Sequence, residues 1–282
     1  MGEPARGTQS RRAFLKKLGL AAAGIALGGT AVSLAVERHL VQVTRPRIRV
    51  PGLPPAFEGL RICQITDVHH GPFLDLDQVH RVVTLALEQS PDLFVLTGDL
   101  SHKEEWSVPP VWDAMASLQA PLGVWGVMGN HDWWHGIGAS REGATRAKIG
   151  MLDNRAVLIE REGERIWLAG VGDLWADEPD LRAALANVPA DEPAILLTHN
   201  PDFADEMSDP RVKLMLAGHS HGGQINLPLF GPPALPCRRK YTSGLVRTGV
   251  SQVYVSRGIG MAAVPVRFNC RPELPVFELV SA

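Results

Sequence analysis

The sequence predicts an α/β fold, on three observations. Short apolar runs alternate with stretches of helical periodicity through most of its 282 residues. Several of those runs end abruptly in Asp, Asn or His. The C-terminal tail is strand-rich, with no further helical pattern. At 45% hydrophobic and 21% charged, the chain can bury one sizeable core and shows no signature of disorder or of a repeat array.

In chain order, "TRPRIRVPGLPPAFEG" (44–59) reads as linker and then an edge strand, because its prolines forbid a helix interior. "LRICQIT" (60–66) is a buried strand that breaks at Asp67. "LDQVHRVVTLALEQS" (76–90) has the 3.6-residue period of a helix, with Asp75 or Asp77 as its cap. "PDLFVLTGD" (91–99) is a second strand and a helix is predicted over 111–118. A third strand lies in "PLGVWGVMGNHD" (121–132). Two apolar runs over 156–173 read as a hairpin. A helix near 180–186 precedes a strand in "PAILLTHNPD", and a short helix precedes another in "VKLMLAGHSHGG". "QVYVSRGIG", "VPVRFNC" and "LPVFELV" close the chain as strands.

The N-terminus stands apart. "SRRAFLKK" (10–17) precedes the uncharged apolar stretch 18–36, the order of an export signal. Arg11 and Arg12, followed by Phe14, Leu15 and Lys16, resemble a bacterial twin-arginine signal. The alternative is a plain membrane anchor, since the apolar run is about long enough to span a bilayer. Ser33-Leu34-Ala35 offers a cleavage site after Ala35. Residues 1–44 are therefore set aside as signal and linker, and 45–282 are expected to form one domain. The expected location is the periplasm, the cell wall or the outer face of the inner membrane, with the translocation machinery as a partner. Residues 18–36 would serve as the membrane contact if retained.

Of 28 basic and 30 acidic residues, five and one fall within residues 1–36, so the remainder carries a net charge of −6. Such a domain is a poor non-specific binder of nucleic acid, and no nucleic-acid partner is expected. Cys63, Cys237 and Cys270 lack metal-ligand spacing. Cys63 is expected inside a strand, and a Cys237–Cys270 pairing is left open.

Five apolar runs end in side chains able to bind metal: Asp67 with His69, Asp99, Asn130, His199, and His219 with His221. A lone Asp at a strand end is ordinary turn chemistry. Five such ends in an α/β chain match the rule that ligands bind beyond the carboxyl ends of strands. The donors are nitrogen and oxygen only, which suits Mn, Fe, Zn, Co or Ni. Seven side chains exceed one tetrahedral ion and suit two ions sharing a carboxylate, about 3.5–4 Å apart. Two divalent ions against two carboxylates leave the site positive. Such a site attracts phosphate and brings the pKa of bound water near 7, giving a hydroxide nucleophile.

"DVH" (67–69), "GD" (98–99), "GNHD" (129–132), "TH" (198–199) and "GHSH" (218–221) occur in the order of the calcineurin-like metallophosphoesterase superfamily, which the chain resembles from about residue 60 to 280. Singly these pieces are weak; all five in order are specific. "THNPD" and "GHSHGGQINLP" look closest to a bacterial branch of exported or membrane-associated phosphodiesterases. The resemblance implies a four-layer α/β/β/α sandwich of two mixed sheets. It implies Asp67, His69, Asp99 and His221 around one metal, and Asp99, Asn130, His199 and His219 around the other, with Asp99 bridging. It implies that His131 contacts the phosphate and assists the leaving group. One departure matters. The extended Gly-Asp-x-Val-Asp-Arg-Gly block of the protein phosphatases is replaced here by "GDLSHKE" (98–104), which argues against that activity and leaves open what orients His131.

Around these residues, His70 reads as packing or as a substrate contact. Trp133, Trp134 and Trp106 read as core, or as a wall for an apolar leaving group. His39, His80, His102 and His135 match no ligand position, and Arg238–Lys240 read as a solvated face or an anion contact. The expected function is a dinuclear-metal phosphoester hydrolase, most simply a phosphodiesterase, with a lipid-linked or envelope phosphoester as substrate. A nucleotide sugar–lipid pyrophosphate is the alternative substrate. A non-catalytic scaffold of the same fold is the rival reading.

Overall fold

Almost every apolar run becomes a strand. The computed structural model describes residues 36–282, so the twin-arginine and cleavage expectations lie outside the described residues. The first half contains β1 (Gln42–Thr44), β2 (Arg47–Val50), β3 (Arg61–Ile65), α1 (Leu76–Glu88), β4 (Leu93–Thr97), α2 (Val108–Met115), β5 (Val124–Val127), α3 (Asn130–Arg146) and β6 (Gly150–Met151). The second contains β7 (Arg155–Arg161), β8 (Glu164–Gly170), α4 (Leu181–Ala184), β9 (Ala194–Leu197), β10 (Val212–Ala217), β11 (Gly244–Arg247), β12 (Gln252–Val255) and β13 (Glu273–Ser281).

These strands form two mixed sheets. The first runs β1-β13-β3-β4-β5-β6, with β2 also paired to β13. The second runs β11-β12-β10-β9-β8-β7. Parallel β3, β4 and β5 are joined through α1 and α2, while β13 returns antiparallel with Val276 opposite Cys63. In the second sheet β8, β9, β10 and β12 are parallel, with β7 and β11 as antiparallel edges.

Side-chain alternation sorts the core into layers. Ile62, Leu93 and Val95 of the first sheet meet Leu168, Ile195, Leu214 and Leu216 of the second. Cys63, Ile65, Phe94 and Leu96 point the other way, onto Val79, Val83, Val111, Trp112 and Ala144 of the helices. The far face of the second sheet is covered by Ala184, Leu185, Phe203 and Met207. The result is the expected α/β/β/α order. In α1, Asp75 is the cap: its carboxylate accepts from Gln78 N at 2.8 Å and Gln78 Oε1 accepts from Asp75 N at 3.3 Å. Val79, Val82, Val83 and Ala86 then form its buried stripe.

Several expectations are corrected. Residues 42–44, read as linker, form β1 and pair with 273–275 along β13. The strand through "QVYVSRGIG" stops at Val255, and "VPVRFNC" forms no strand. That segment belongs to a loop held by the buried Arg267, whose guanidinium donates to the carbonyls of Arg257 (2.8 Å), Gly258 (3.1 Å), Gly260 and Cys270 (3.3 Å). The 17-residue α3 occupies a stretch for which no helix is expected, since Gly136, Gly138 and Gly143 weaken its propensity. It is broken at Gly136 (φ 148°) and held by packing: a side chain at Gly143 would run into Trp112. Cys63 is buried in β3, while Cys237 and Cys270 are both free thiols. Cys237 Sγ faces Tyr241 O at 3.4 Å and Cys270 Sγ faces His221 O at 3.2 Å. Among the described residues, no helix is long and apolar enough to cross a membrane.

Candidate metal centre

The carboxyl ends of β3, β4 and β5 meet those of β9 and β10 across the gap between the sheets. Each strand hands its polar cluster to that gap through a sharp backbone turn. Asp67 (φ 51°), His69 (φ 47°), Asp99 (φ 55°), His219 (φ 66°) and His221 (φ 50°) all adopt the left-handed conformation. Such a residue costs on the order of 1–3 kcal/mol and persists only where the surroundings enforce it. Five of the twelve non-glycine residues with positive φ among the described residues are therefore candidate ligands, so strain is concentrated at this point of the fold.

Among the described residues three groups of donors result: Asp67, His69 and His221; Asp99, His199 and His219; and, sharing His69 with the first, His69, His102 and His131. The first two hold the sequence-predicted ligands. His69 Nε2 lies 3.0 Å from His221 Nε2, which lies 3.3 Å from Asp67 Oδ1. His199 Nε2 lies 3.1 Å from His219 Nδ1. Asp99 Oδ2 stands between the groups, 3.5 Å from His69 Nε2 and 3.2 Å from His199 Nε2. Asn130 Oδ1 is buried with no hydrogen-bond partner among the described residues. An orphaned buried acceptor is costly unless something electropositive faces it.

The other ring nitrogens are tied back. His199 Nδ1 donates to Thr97 O at 2.7 Å, and His219 Nε2 to Pro236 O at 3.3 Å. Those bonds aim His199 Nε2 and His219 Nδ1 at one point, the arrangement that orients metal-binding imidazoles. Burial alone would lower the pKa of His199, but Asp99, Asp67 and Asp173 raise it well above the usual range. Burial would raise Asp99, yet His199 and His69 hold it well below its usual range. The same carboxylates that favour positive charge on His199 would favour a cation beside it. Burial lifts Asp67 to about 6 and depresses His219 to about 3. The donor chemistry, the orphan oxygen and the converging nitrogens fit metal ions.

The supporting residues answer the question left at His131. Asp132 does not contact its imidazole. Its carboxylate accepts from Asp99 N (2.7 Å), Gly129 N (2.9 Å) and Leu100 N (3.1 Å), so it fixes the turn that presents Asp99. His131 sits at the N-terminus of α3, where its backbone N–H donates to Asp99 Oδ1 at 2.8 Å. Its ring meets His69 edge-on at 4.6 Å and stacks on His102 at 5.8 Å. His102, which matches no ligand position in the sequence, is buried with its Nδ1 3.4 Å from His69 Nδ1. That contact orients His69 Nε2 toward the centre. The backbone bridge between His70 and Ser101 puts His102 there, and no spacing in the sequence signals it.

The centre opens into a cleft of about 500 Å³. His131, Trp134 and Trp175 line one side; Ile225, Leu235 and Val264 line another. Trp134 and Trp175 stack at 6.3 Å, and Trp175 meets His219 edge-on at 4.4 Å. Trp175 went unread because its place depends on Asp173, whose Oδ1 accepts from the backbone N–H groups of Trp175 and Ala176. Trp133 packs on the helical core instead, with Arg141 over its ring. His70 is buried with its Nδ1 3.0 Å from Leu74 O and its ring edge-on to Trp106. Neither His70 nor Trp133 lines the cleft: His70 turns to Leu74 O and Trp106, and Trp133 is taken up by the helical core. Arg238 and Lys240 pair with Asp205.

The family profile described as "Calcineurin-like phosphoesterase" matches residues 60–223. The chain is 35% identical to the uncharacterized metallophosphoesterase YkuE of Bacillus subtilis, over 96% of this chain and 98% of that one. It is 34% identical to the phosphodiesterase YaeI of Escherichia coli, over 78% and 82%. Among solved structures, the sulfate thiohydrolase SoxB of Thermus thermophilus aligns with a TM-score of 0.50 at 11% identity, over 80% of this chain and 57% of that one, a likeness of fold alone. With its strand-end motifs in the family's order and its donors gathered at one cleft, the chain belongs to the calcineurin-like phosphoesterase family and is a metal-dependent phosphoester hydrolase.

Proposed function

We propose that the chain is a dinuclear-metal phosphodiesterase acting outside the cytoplasm on a lipid-linked or cell-envelope phosphoester. The observation that carries the dinuclear reading is Asp99 Oδ2, placed between two donor groups within 3.5 Å of a histidine from each. In this reading Asp67, His69, Asp99 and His221 hold one ion, and Asp99, Asn130, His199 and His219 the other. The ions, when bound, supply positive charge for the phosphate oxygens and the acidity that makes water a nucleophile near neutral pH. Mn, Fe and Zn all suit the donors.

The chain's own residues do the rest. His131, half-buried at the mouth of the centre, contacts the phosphate and delivers a proton to the leaving oxygen. Trp134 and Trp175 form an apolar wall for the leaving group, which favours a lipid over a sugar or an amino acid. The name of YaeI supports a diester over a monoester. Export by the twin-arginine route rests on Arg11, Arg12 and the apolar stretch after them.

Asp99→Ala and His219→Ala, assayed on a chromogenic phosphodiester with added Mn²⁺, are expected to lose at least about a hundredfold in kcat, the scale of losing charge stabilisation at the reacting phosphate. Unchanged hydrolysis in both would overturn the assignment. Replacing Arg11 and Arg12 by Lys is expected to hold the protein in the cytoplasm, and unaltered export would remove the twin-arginine reading.

A further inference from the structure

We propose that the apolar rim of the cleft, centred on the hairpin at residues 227–231, is a docking surface that seats on a lipid bilayer. The chain leaves the metal centre along the cleft wall through Ile225 and then doubles back. Leu227 N donates to Gly231 O at 3.1 Å, and Gly231 N to Leu227 O at 2.8 Å. The tip carries Leu229, fully exposed, and Phe230, 80% exposed. Leu229 is held at φ 71°, a conformation that leucine avoids. Strain and exposed apolar surface both cost free energy, and nothing within the described chain offsets either.

A second lip adjoins the first on the same wall of the cleft. Val264 lines the cleft while remaining exposed. The two lips are joined through Gln224, whose amide donates to Val264 O at 2.9 Å and Val266 O at 3.1 Å. They therefore present one surface rather than two mobile flaps.

Two observations select a bilayer as the occupant. The first is the path of the chain. Arg38 Nη1 donates to Pro265 O at 2.8 Å, and the Glu37 carboxylate accepts from the backbone N–H groups of Asn269 and Cys270. The start of the described chain is thus fastened beside the second lip. The sequence leading into it, residues 18–36, carries no charge and is about long enough to span a bilayer. The second observation is charge. Arg38 stands at one lip, and Arg239, whose Nη1 donates to Pro232 O at 3.3 Å, at the other. Guanidinium groups flanking an apolar tip suit an anionic headgroup layer with acyl chains beneath it. This surface goes beyond the catalytic reading, since docking needs neither metal nor turnover.

The test uses the full chain carrying Cys237→Ser, with Cys63 and Cys270 left buried. An environment-sensitive fluorophore is placed at Phe230→Cys. A control label is placed at Glu162→Cys, in the β7–β8 turn at the opposite end of the strands from the centre. Each protein is added to vesicles of phosphatidylcholine and phosphatidylglycerol, with and without a quencher on the acyl chains. The label at 230 is expected to shift to the blue on vesicles and to lose intensity to the lipid-borne quencher, while the label at 162 does neither. Equal water exposure at both positions would overturn the proposal, as would failure of the chain to float with vesicles. So would a label at 230 that is blue-shifted before lipid is added and unaffected by the quencher. That outcome would mean that the N-terminal stretch or a second copy covers the rim.

Discussion

Each candidate ligand is held by a specific neighbour, and losing the neighbour should cost almost as much as losing the ligand. His102 is the sharpest case. It faces His69 Nδ1, stacks on His131 and offers its carbonyl to His131 Nδ1 at 3.4 Å. His102→Ala is expected to weaken metal binding about ten- to a hundredfold, the usual cost of losing a partner behind a ligating histidine. Calorimetric titration with Mn²⁺ measures this, and unchanged affinity would return His102 to plain packing. Gly258 presents the opposite case, where a side chain must be absent. Its φ is +64° and a Cβ there would lie 2.5 Å from that of Asp67. Gly258→Ala is expected to lower both the melting temperature and the metal affinity, because relief requires Asp67 to move.

At the level of elements, the N-terminus of α3 and the turn after β4 act as one unit. Asp132 satisfies three backbone N–H groups. Burial and the nearby Asp99 raise its pKa to about 7, so these bonds are what make a carboxylate tolerable at that position. Asp132→Ala should cost at least about 2 kcal/mol, since each buried donor left unpaired costs about 1–3 kcal/mol. Denaturant unfolding of the metal-free protein checks the stability, and kcat checks whether Asp99 has relaxed. A stability loss without a fall in kcat would confine Asp132 to capping. The helices themselves show where pattern reading stops. The stripe and cap of α1 are local and were legible. In α3, Gly143 is required by the Trp112 ring, a contact between elements that no periodicity encodes.

For the whole molecule, the centre is a joint between two sheets. The first sheet supplies Asp67, His69, Asp99 and Asn130, and the second supplies His199, His219 and His221. Ions bound there would tie the sheets together and should stabilise the fold by mass action, about 2.7 kcal/mol at a hundredfold excess over Kd. Chelation is therefore expected to lower the melting temperature and re-addition of Mn²⁺ to restore it. A melting temperature indifferent to both would show that the donors do not hold metal in the native state.

The sequence by itself determined most of the strands, the α/β class and the seven ligand-type side chains. Apolar runs ending in Asp, Asn and His are local patterns, and their order carries the family. Only the tertiary structure decided what those side chains meet. It placed Asp99 Oδ2 between the two groups, put His102 behind His69 and Trp175 over His219, and removed His70 and Trp133 from the cleft. The physical reason is that the carboxyl ends of five strands from two sheets converge at a single gap. Which neighbour completes each residue there is set by chain segments far apart in sequence, and strand ends alone do not encode it.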